Sequence, residues 1–205
     1  MKLYGFAATR SLRVLWGLRE LGLDFDYISV DLRAGEHKRP EFLRLNPAGK
    51  VPVLIDGDIV IPESAAIVLY LADKYPEKGL IPADRAGRAE TYRWVMFAVT
   101  ELEQPLWRIT KHSFLYPEEK RLPADIALAR EEFRAMAAIL DRHLEGRVYI
   151  VGDKITAADC VTAYLIDWAN EQHLIDGLAN LRAYLDHMYA RPTAPQRIAQ
   201  ARNAA

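Results

Sequence analysis

An α/β half followed by an all-helical half is the fold class that this chain of 205 residues predicts. Strand-length apolar runs occur only before residue 62, where one helical pattern interrupts them and a tight-turn signal folds them back. From residue 87 onward every apolar pattern repeats at three and four residues. Between the two regimes lies PEKGLIPADRAG, whose prolines, glycines and mixed charge read as a linker.

The elements of the first half follow in order. Lys2 to Phe6 reads as a short strand, and Leu12, Val14, Leu15, Leu18 and Leu21 fall at helical spacing with Gly22 as the stop. Phe25 to Val30 reads as a second strand. A strand, a helix and a strand within about 30 residues form a βαβ unit with a right-handed crossover and parallel strands. A short helix is expected near Pro40 to Leu45, then a turn at Asn46, Pro47 and Gly49. Val51-Pro52 opens the next strand, Val53 to Ile55, and is a candidate cis bond because proline has lost most of the trans preference. A cis bond there would present the Val51 backbone N–H and C=O to a ligand. Asp56-Gly57 closes a hairpin into Ile59 to Ile61, and Pro62 stops that strand. Glu63 and Ser64 then open a helix marked by Ile67 and Leu71, whose free N–H groups suit a carboxylate. The whole order describes a thioredoxin-like half over residues 1–76.

With residues 77–86 as the linker, residues 87–205 form the helical half. Val95, Val99, Leu102, Leu106 and Ile109 mark one long amphipathic helix, and Leu128, Phe133, Met136, Leu140 and Leu144 mark a second. A third begins at Ile155-Thr156-Ala157-Ala158-Asp159. There Thr156 can cap, Asp159 can answer as the acidic member of a capping box, and Ile155 can staple against Cys160. It continues through Val161, Tyr164, Leu165 and Trp168. A final helix covers Leu178 to Ala190 and stops at Arg191-Pro192, and the chain from Gln196 onward reads as a loosely held tail.

Lys and Arg number 27 against 28 Asp and Glu, a net charge of −1, so no global field draws the chain to nucleic acid or an acidic membrane. The single cysteine, Cys160, allows no internal disulfide and no multi-cysteine metal site; small buried cysteines are usually packing. No apolar stretch approaches the ~20 residues of a membrane span, and the N-terminus MKLYGF carries no leader pattern. A cytoplasmic protein is expected.

Chemistry concentrates in the loop Phe6-Ala7-Ala8-Thr9-Arg10-Ser11, which points hydroxyls and a guanidinium at a helix start. A redox enzyme of this shape would carry Cys-x-x-Cys in that loop, and this chain has none, so any sulfur belongs to the ligand. Lowering a free thiol by ~2 units from about 8.5 needs about 2.7 kcal/mol. Hydrogen bonds to a charged acceptor contribute about 1.5 to 3 kcal/mol each, so a hydroxyl, a helix end and an Arg together suffice. Three hydroxyls compete for the thiolate: Thr9, Ser11 and, on the strand, Tyr4. Their structural alternatives are a loop hydroxyl, an N-cap and a core aromatic.

The loop TRSLRVLWGLRELGL, the segment GEHKRPEFLRLNPAGKVPVL, the pair Glu63-Ser64 and the capped helix ITAADCVTAYL together resemble a cytosolic-type bacterial glutathione S-transferase, in both halves of the chain. The resemblance implies a detoxifying transferase with glutathione as cosubstrate, no further cofactor or metal, a hydrophobic electrophile as second substrate, and a homodimer with sites beside its interface. Carried over, Pro52 is the cis-proline and Val51 pairs its backbone with the cysteinyl unit. Glu63 and Ser64 hold the γ-glutamyl end, and Lys50 and His37 reach the glycyl end. At the catalytic position Thr9, Arg10 and Tyr4 answer to a serine, a cysteine and a tyrosine slot. Thr9 is taken as the donor, with Arg10 adding positive potential and Ser11 in reserve. Glu103 sits where some relatives send an acidic group across the dimer, although an exposed helix carboxylate is the commoner meaning. Phe6, Trp107, Phe114, Tyr164 and Trp168 are candidates to line the electrophile's cleft, and Asp73, Arg88 and Tyr92 are candidate subunit contacts. A noncatalytic glutathione-binding or protein-docking module of the same fold is the alternative.

Overall fold

The computed structural model describes residues 1–204. Strand β1 (Lys2–Gly5), helix α1 (Ser11–Glu20) and strand β2 (Asp26–Ser29) form the βαβ unit, with β1 and β2 parallel and Leu3 opposite Tyr27. Gly22 ends the α1 turn at φ 63°, a conformation that favours glycine. After the short helix α2 (Pro40–Leu43), strands β3 (Val53–Asp56) and β4 (Ile59–Pro62) form the hairpin, and helix α3 (Ser64–Lys74) follows directly. Pro62 is the last residue of β4, so the strand stops there as expected. The sheet order is β2-β1-β3-β4, with β1 and β3 antiparallel.

Alternation along β1 and β3 gives the sheet two covered faces. Leu3 and Leu54 face the helices α1 and α3, while Tyr4 and Val53 join Val30 and Phe42 under α2. Register then decides where the loops meet. Val53 lies opposite both Tyr4 and Pro62, so the loop after β1, the Val51-Pro52 bond and the Glu63-Ser64 helix start emerge at one end of the sheet.

The helical half begins with α4 (Arg85–Phe97), whose N-cap Asp84 accepts the Gly87 N–H at 2.9 Å. It therefore starts inside the linker expected over 77–86. The chain continues without a break through a π-turn at Ala98–Leu102 into α5 (Glu103–Thr110) and a second π-turn at Lys111–Leu115. Pro105 accounts for the first widening, because its ring displaces the carbonyl four residues back, that of Glu101. Helix α6 (Pro123–His143) turns Ala129, Phe133, Ala137 and Leu140 inward. Leu128, expected on that face, is exposed, and Met136 is only half-buried. The 3.6-residue period from Phe133 selects two alanines, and their small side chains let α5 pack closely against α6.

Helix α7 (Ala157–Asn170) is buried on nearly all sides and packs against α1, α3, α4 and α5 as well as α8 (Ala179–Tyr189). One hydrophobic core runs from Leu3 through Trp16 and Ile67 to Leu165 and Leu185, so the two halves share it. The tail from Gln196 is not loose. It forms α9 (Ile198–Asn203), which buries Ile198 and Ala201 and donates the Ile198 N–H to Asp167 at 2.8 Å. Among the described residues, no helix is long and apolar enough to cross a membrane.

Candidate active site

The end of the sheet collects most of the residues singled out in the first half. The Val51-Pro52 bond is cis, and neither the N–H nor the C=O of Val51 takes a backbone partner among the described residues. The turn before it is braced by Asn46, which donates from Nδ2 to the Lys50 carbonyl at 2.7 Å and accepts the Ala48 N–H at 3.1 Å. A Cβ on Gly49 would stand 3.1 Å from the His37 carbonyl, so the turn holding His37 packs on the turn leading to Lys50. Lys50 is exposed, His37 is half-buried, and His37 Nδ1 has no hydrogen-bond partner among the described residues.

Glu63 is exposed and holds φ 72°, ψ 108°, a conformation that L-residues seldom adopt and that turns the chain abruptly into α3. No side chain caps that helix. Ser64 is its first residue, not its cap, and is buried. Its oxygen accepts from Arg13 Nη1 at 3.1 Å, so its one proton stays free to be donated. A free hydroxyl donor beside unfilled helix N–H groups is an acceptor-binding arrangement.

In the loop before α1 the three hydroxyls fare differently. Tyr4 packs against Phe42 on the α2 face of the sheet, ring centroids 6.4 Å apart, and is no part of the loop cluster. Ser11 is fully buried, and its Oγ accepts the Phe6 N–H at 3.3 Å. A Cβ on Gly5 would lie 2.8 Å from Ser11 Cβ and 2.8 Å from the Tyr27 hydroxyl, so only glycine lets Ser11 sit down on the strand. Thr9 is the more open hydroxyl; it donates to the Phe6 carbonyl at 2.6 Å, and its oxygen lies 2.9 Å from Ser11 Oγ. Each hydroxyl has one proton, so Ser11 donates to Thr9 and Thr9 to Phe6. For Thr9 to serve a thiolate it must let go of that carbonyl.

Arg10 has donors to spare. Its Nε bonds Glu103 Oε1, its guanidinium lies 4.8 Å from the Trp107 ring centroid and 5.5 Å from that of Trp168, and its side chain remains 29% exposed. Glu103 Oε2 takes Arg13 Nη2 at 2.8 Å. Glu103 is thus not an exposed helix carboxylate; it is buried and engaged within its own chain. Burial pushes its carboxyl up, yet Arg13 and Arg10 together overcome that and hold it below the usual carboxylate range. Arg13, 1% exposed and stacked 4.9 Å from the Tyr164 ring, is lowered by burial and partly restored by Glu103; a guanidinium stays charged regardless. Arg13 was not singled out by sequence. Its signal was a charge inside an apolar helix, one turn beyond Arg10 on the same face.

Trp107, Trp168 and Phe6 are half-buried, Tyr164 is buried beneath Arg13, and Phe114 projects into solvent, 76% exposed. Of these, Trp107 and Trp168 flank the Arg10 guanidinium. Asp73, Arg88 and Tyr92 form an exposed cluster between α3 and α4, with Arg88 Nη2 donating to both partners. Cys160 is fully buried in α7, which pushes its thiol well up and leaves it inert packing.

The family model "Glutathione S-transferase, N-terminal domain" matches residues 1–73, and "Glutathione S-transferase, C-terminal domain" matches residues 123–187. The chain belongs to the glutathione S-transferase family. Glutathione S-transferase F9 of Arabidopsis thaliana is 32% identical over 98% of this chain and 97% of its own length. Glutathione S-transferase GST-4.5 of Xanthomonas campestris pv. campestris is 33% identical over 93% of each chain. A glutathione transferase of Burkholderia graminis, solved with two glutathione molecules bound per subunit, superposes with a TM-score of 0.84 at 30% identity, covering 98% of this chain and 86% of its own. This transferase therefore combines a thioredoxin-like N-terminal domain with a helical C-terminal domain, as both family models and the strand order require.

Proposed function

We propose that the protein binds glutathione along the end of its sheet and stabilises the thiolate for attack on an apolar electrophile. The observation that carries this reading is the Ser64 hydroxyl at the open start of α3: Arg13 occupies its acceptor side and leaves its proton for a carboxylate. The γ-glutamyl carboxylate sits there, with Glu63 beside the amine. Val51 pairs main chain to main chain with the cysteinyl unit, and Lys50 and His37 reach the glycyl carboxylate. The sulfur then lies by Thr9 and Arg10. Arg10 supplies charge and free N–H groups, Thr9 is the hydroxyl donor once it releases Phe6, and Ser11 holds the loop.

In substitution the thiol proton goes to solvent, the sulfur lone pair forms the S–C bond and the leaving group departs with its electron pair. Addition differs only in that the carbon takes up a proton at the end. Trp107, Trp168 and Phe6 offer the electrophile an apolar wall. The same thiolate can attack a peroxide oxygen, breaking the O–O bond and releasing an alcohol, with a second glutathione turning the resulting sulfenic acid into glutathione disulfide and water; on a mixed disulfide it forms a new S–S bond and expels the other thiolate. A symmetric dimer across α3 and α4, with Asp73, Arg88 and Tyr92 in contact, is the expected assembly.

Retention on immobilised glutathione followed by a conjugation assay with an activated aryl halide tests the reading. Retention with turnover is the expected result. Retention without turnover in conjugation, peroxidase and disulfide reductase assays would mean a binding module, and no retention would refute the site.

A further inference from the structure

We propose that Glu103 is a positioning residue that sets both ends of the ligand site from the helical half of the molecule. It aims the Arg10 guanidinium at the sulfur and holds Arg13 against Ser64. This rests on the glutathione reading above. One carboxylate, buried just beyond a π-turn, is shared by two guanidiniums that come from the other domain. Its Oε1 fixes Arg10 at Nε, and the Trp107 and Trp168 rings confine the guanidinium. With Nε engaged, the two Nη groups of Arg10 keep four N–H donors in a fixed direction. Its Oε2 fixes Arg13, whose other arm meets the Ser64 oxygen. The three charges sum to +1, and the excess stands on Arg10, the one member with appreciable exposure.

Charge and geometry make opposite claims about the thiol. Glu103→Gln removes a negative charge near the sulfur, which through space alone would lower the pKa of bound glutathione. Loss of aim raises it instead, because Arg10 becomes a free side chain that spends less time on the thiolate.

The test is an ultraviolet thiolate titration of bound glutathione, with KM and kcat measured beside it. Glu103→Gln is expected to raise the thiol pKa by about one unit, a tenfold loss of thiolate below that pKa, and to raise KM for glutathione through Ser64. In an Arg10→Met background the same change should no longer raise the pKa. A lowered or unmoved pKa in Glu103→Gln overturns the proposal, and so does an equal rise in the Arg10→Met background. Should Glu103→Gln not fold, Arg10→Lys keeps the charge and the Glu103–Arg13 pair but loses the planar fork. It too should raise the thiol pKa, and an unchanged value there counts against the proposal. Calorimetry on the wild-type protein separates the two readings. Absence of glutathione binding removes the functional reading and this one with it, whereas binding with an unmoved thiol pKa in the variants removes this one alone.

Discussion

Helices α3 and α7 meet the same problem at their N-termini and solve it in opposite ways. Each must provide for N–H groups that have no partner within the helix. At α7 the chain supplies its own answer: the first helix N–H, that of Ala157, goes to the Leu80 carbonyl at 2.8 Å, and that of Asp159 to the Thr156 carbonyl at 3.0 Å. Thr156 and Asp159 form a capping box, and Asp159 accepts the N–H groups of Ile150 and Thr156 at 2.9 and 2.8 Å together with the hydroxyls of Thr156 and Tyr184 at 3.0 and 3.1 Å. Burial pushes that carboxyl up to about 6 against these four bonds. At α3 no side chain caps, Glu63 turns away at positive φ, and Ser64 keeps its proton. A closed helix start stabilises the fold; an open one, with a cation network behind it, leaves hydrogen bonding that the proposed ligand would complete.

The contrast can be broken from either side. Asp159→Ala should have the largest effect, about 3 to 5 kcal/mol in denaturant unfolding, because four buried donors lose their acceptor. Glutathione affinity of the molecules that remain folded should not change. Ser64→Ala should do the reverse, weakening glutathione about tenfold in calorimetry, or about 1.4 kcal/mol, with a smaller loss of stability. If the Ser64 variant loses stability as Asp159→Ala does and binds normally, the α3 start is structural as well. Thr156→Ala should cost about 1 kcal/mol of stability and leave binding untouched.

The smallest effect lies in pH. Because Glu103 sits below its ordinary value of 4.5 in the folded protein, the unfolded chain takes the proton first. Its contribution to stability is therefore present above about 4.5 and is lost as pH falls through the lower folded value. Unfolding free energy measured against pH should show a shallower acid limb in Glu103→Gln than in wild type. An unchanged limb would mean that the carboxylate is not held by Arg10 and Arg13.

The parts of the molecule specified within a few residues were legible in the sequence. Short apolar runs and Asp56-Gly57 located the hairpin, Gly22 ended α1, and Thr156 with Asp159 announced α7. The cis bond and the open start of α3 were legible for the same reason, since Val51-Pro52 and Glu63-Ser64 each carry their signal locally. The Arg10–Glu103–Arg13 network was not. Glu103 meets Arg13 across 90 residues of chain and after a π-turn, where a straight-helix reading places a carboxylate on the surface. Ala129 and Ala137 are too small to mark the buried face of α6, and the bulk of exposed Leu128 obscures the period. The burial of Ile198 depends on Asp167, 31 residues away, which no local pattern reveals.

A crystal structure of the protein soaked in millimolar glutathione tests the central claim most directly. The expected density places the γ-glutamyl carboxylate within hydrogen-bond distance of Ser64 Oγ and the first N–H groups of α3, with the sulfur beside Arg10 and Thr9. A tripeptide bound elsewhere, or that end of the sheet without ligand, would contradict it.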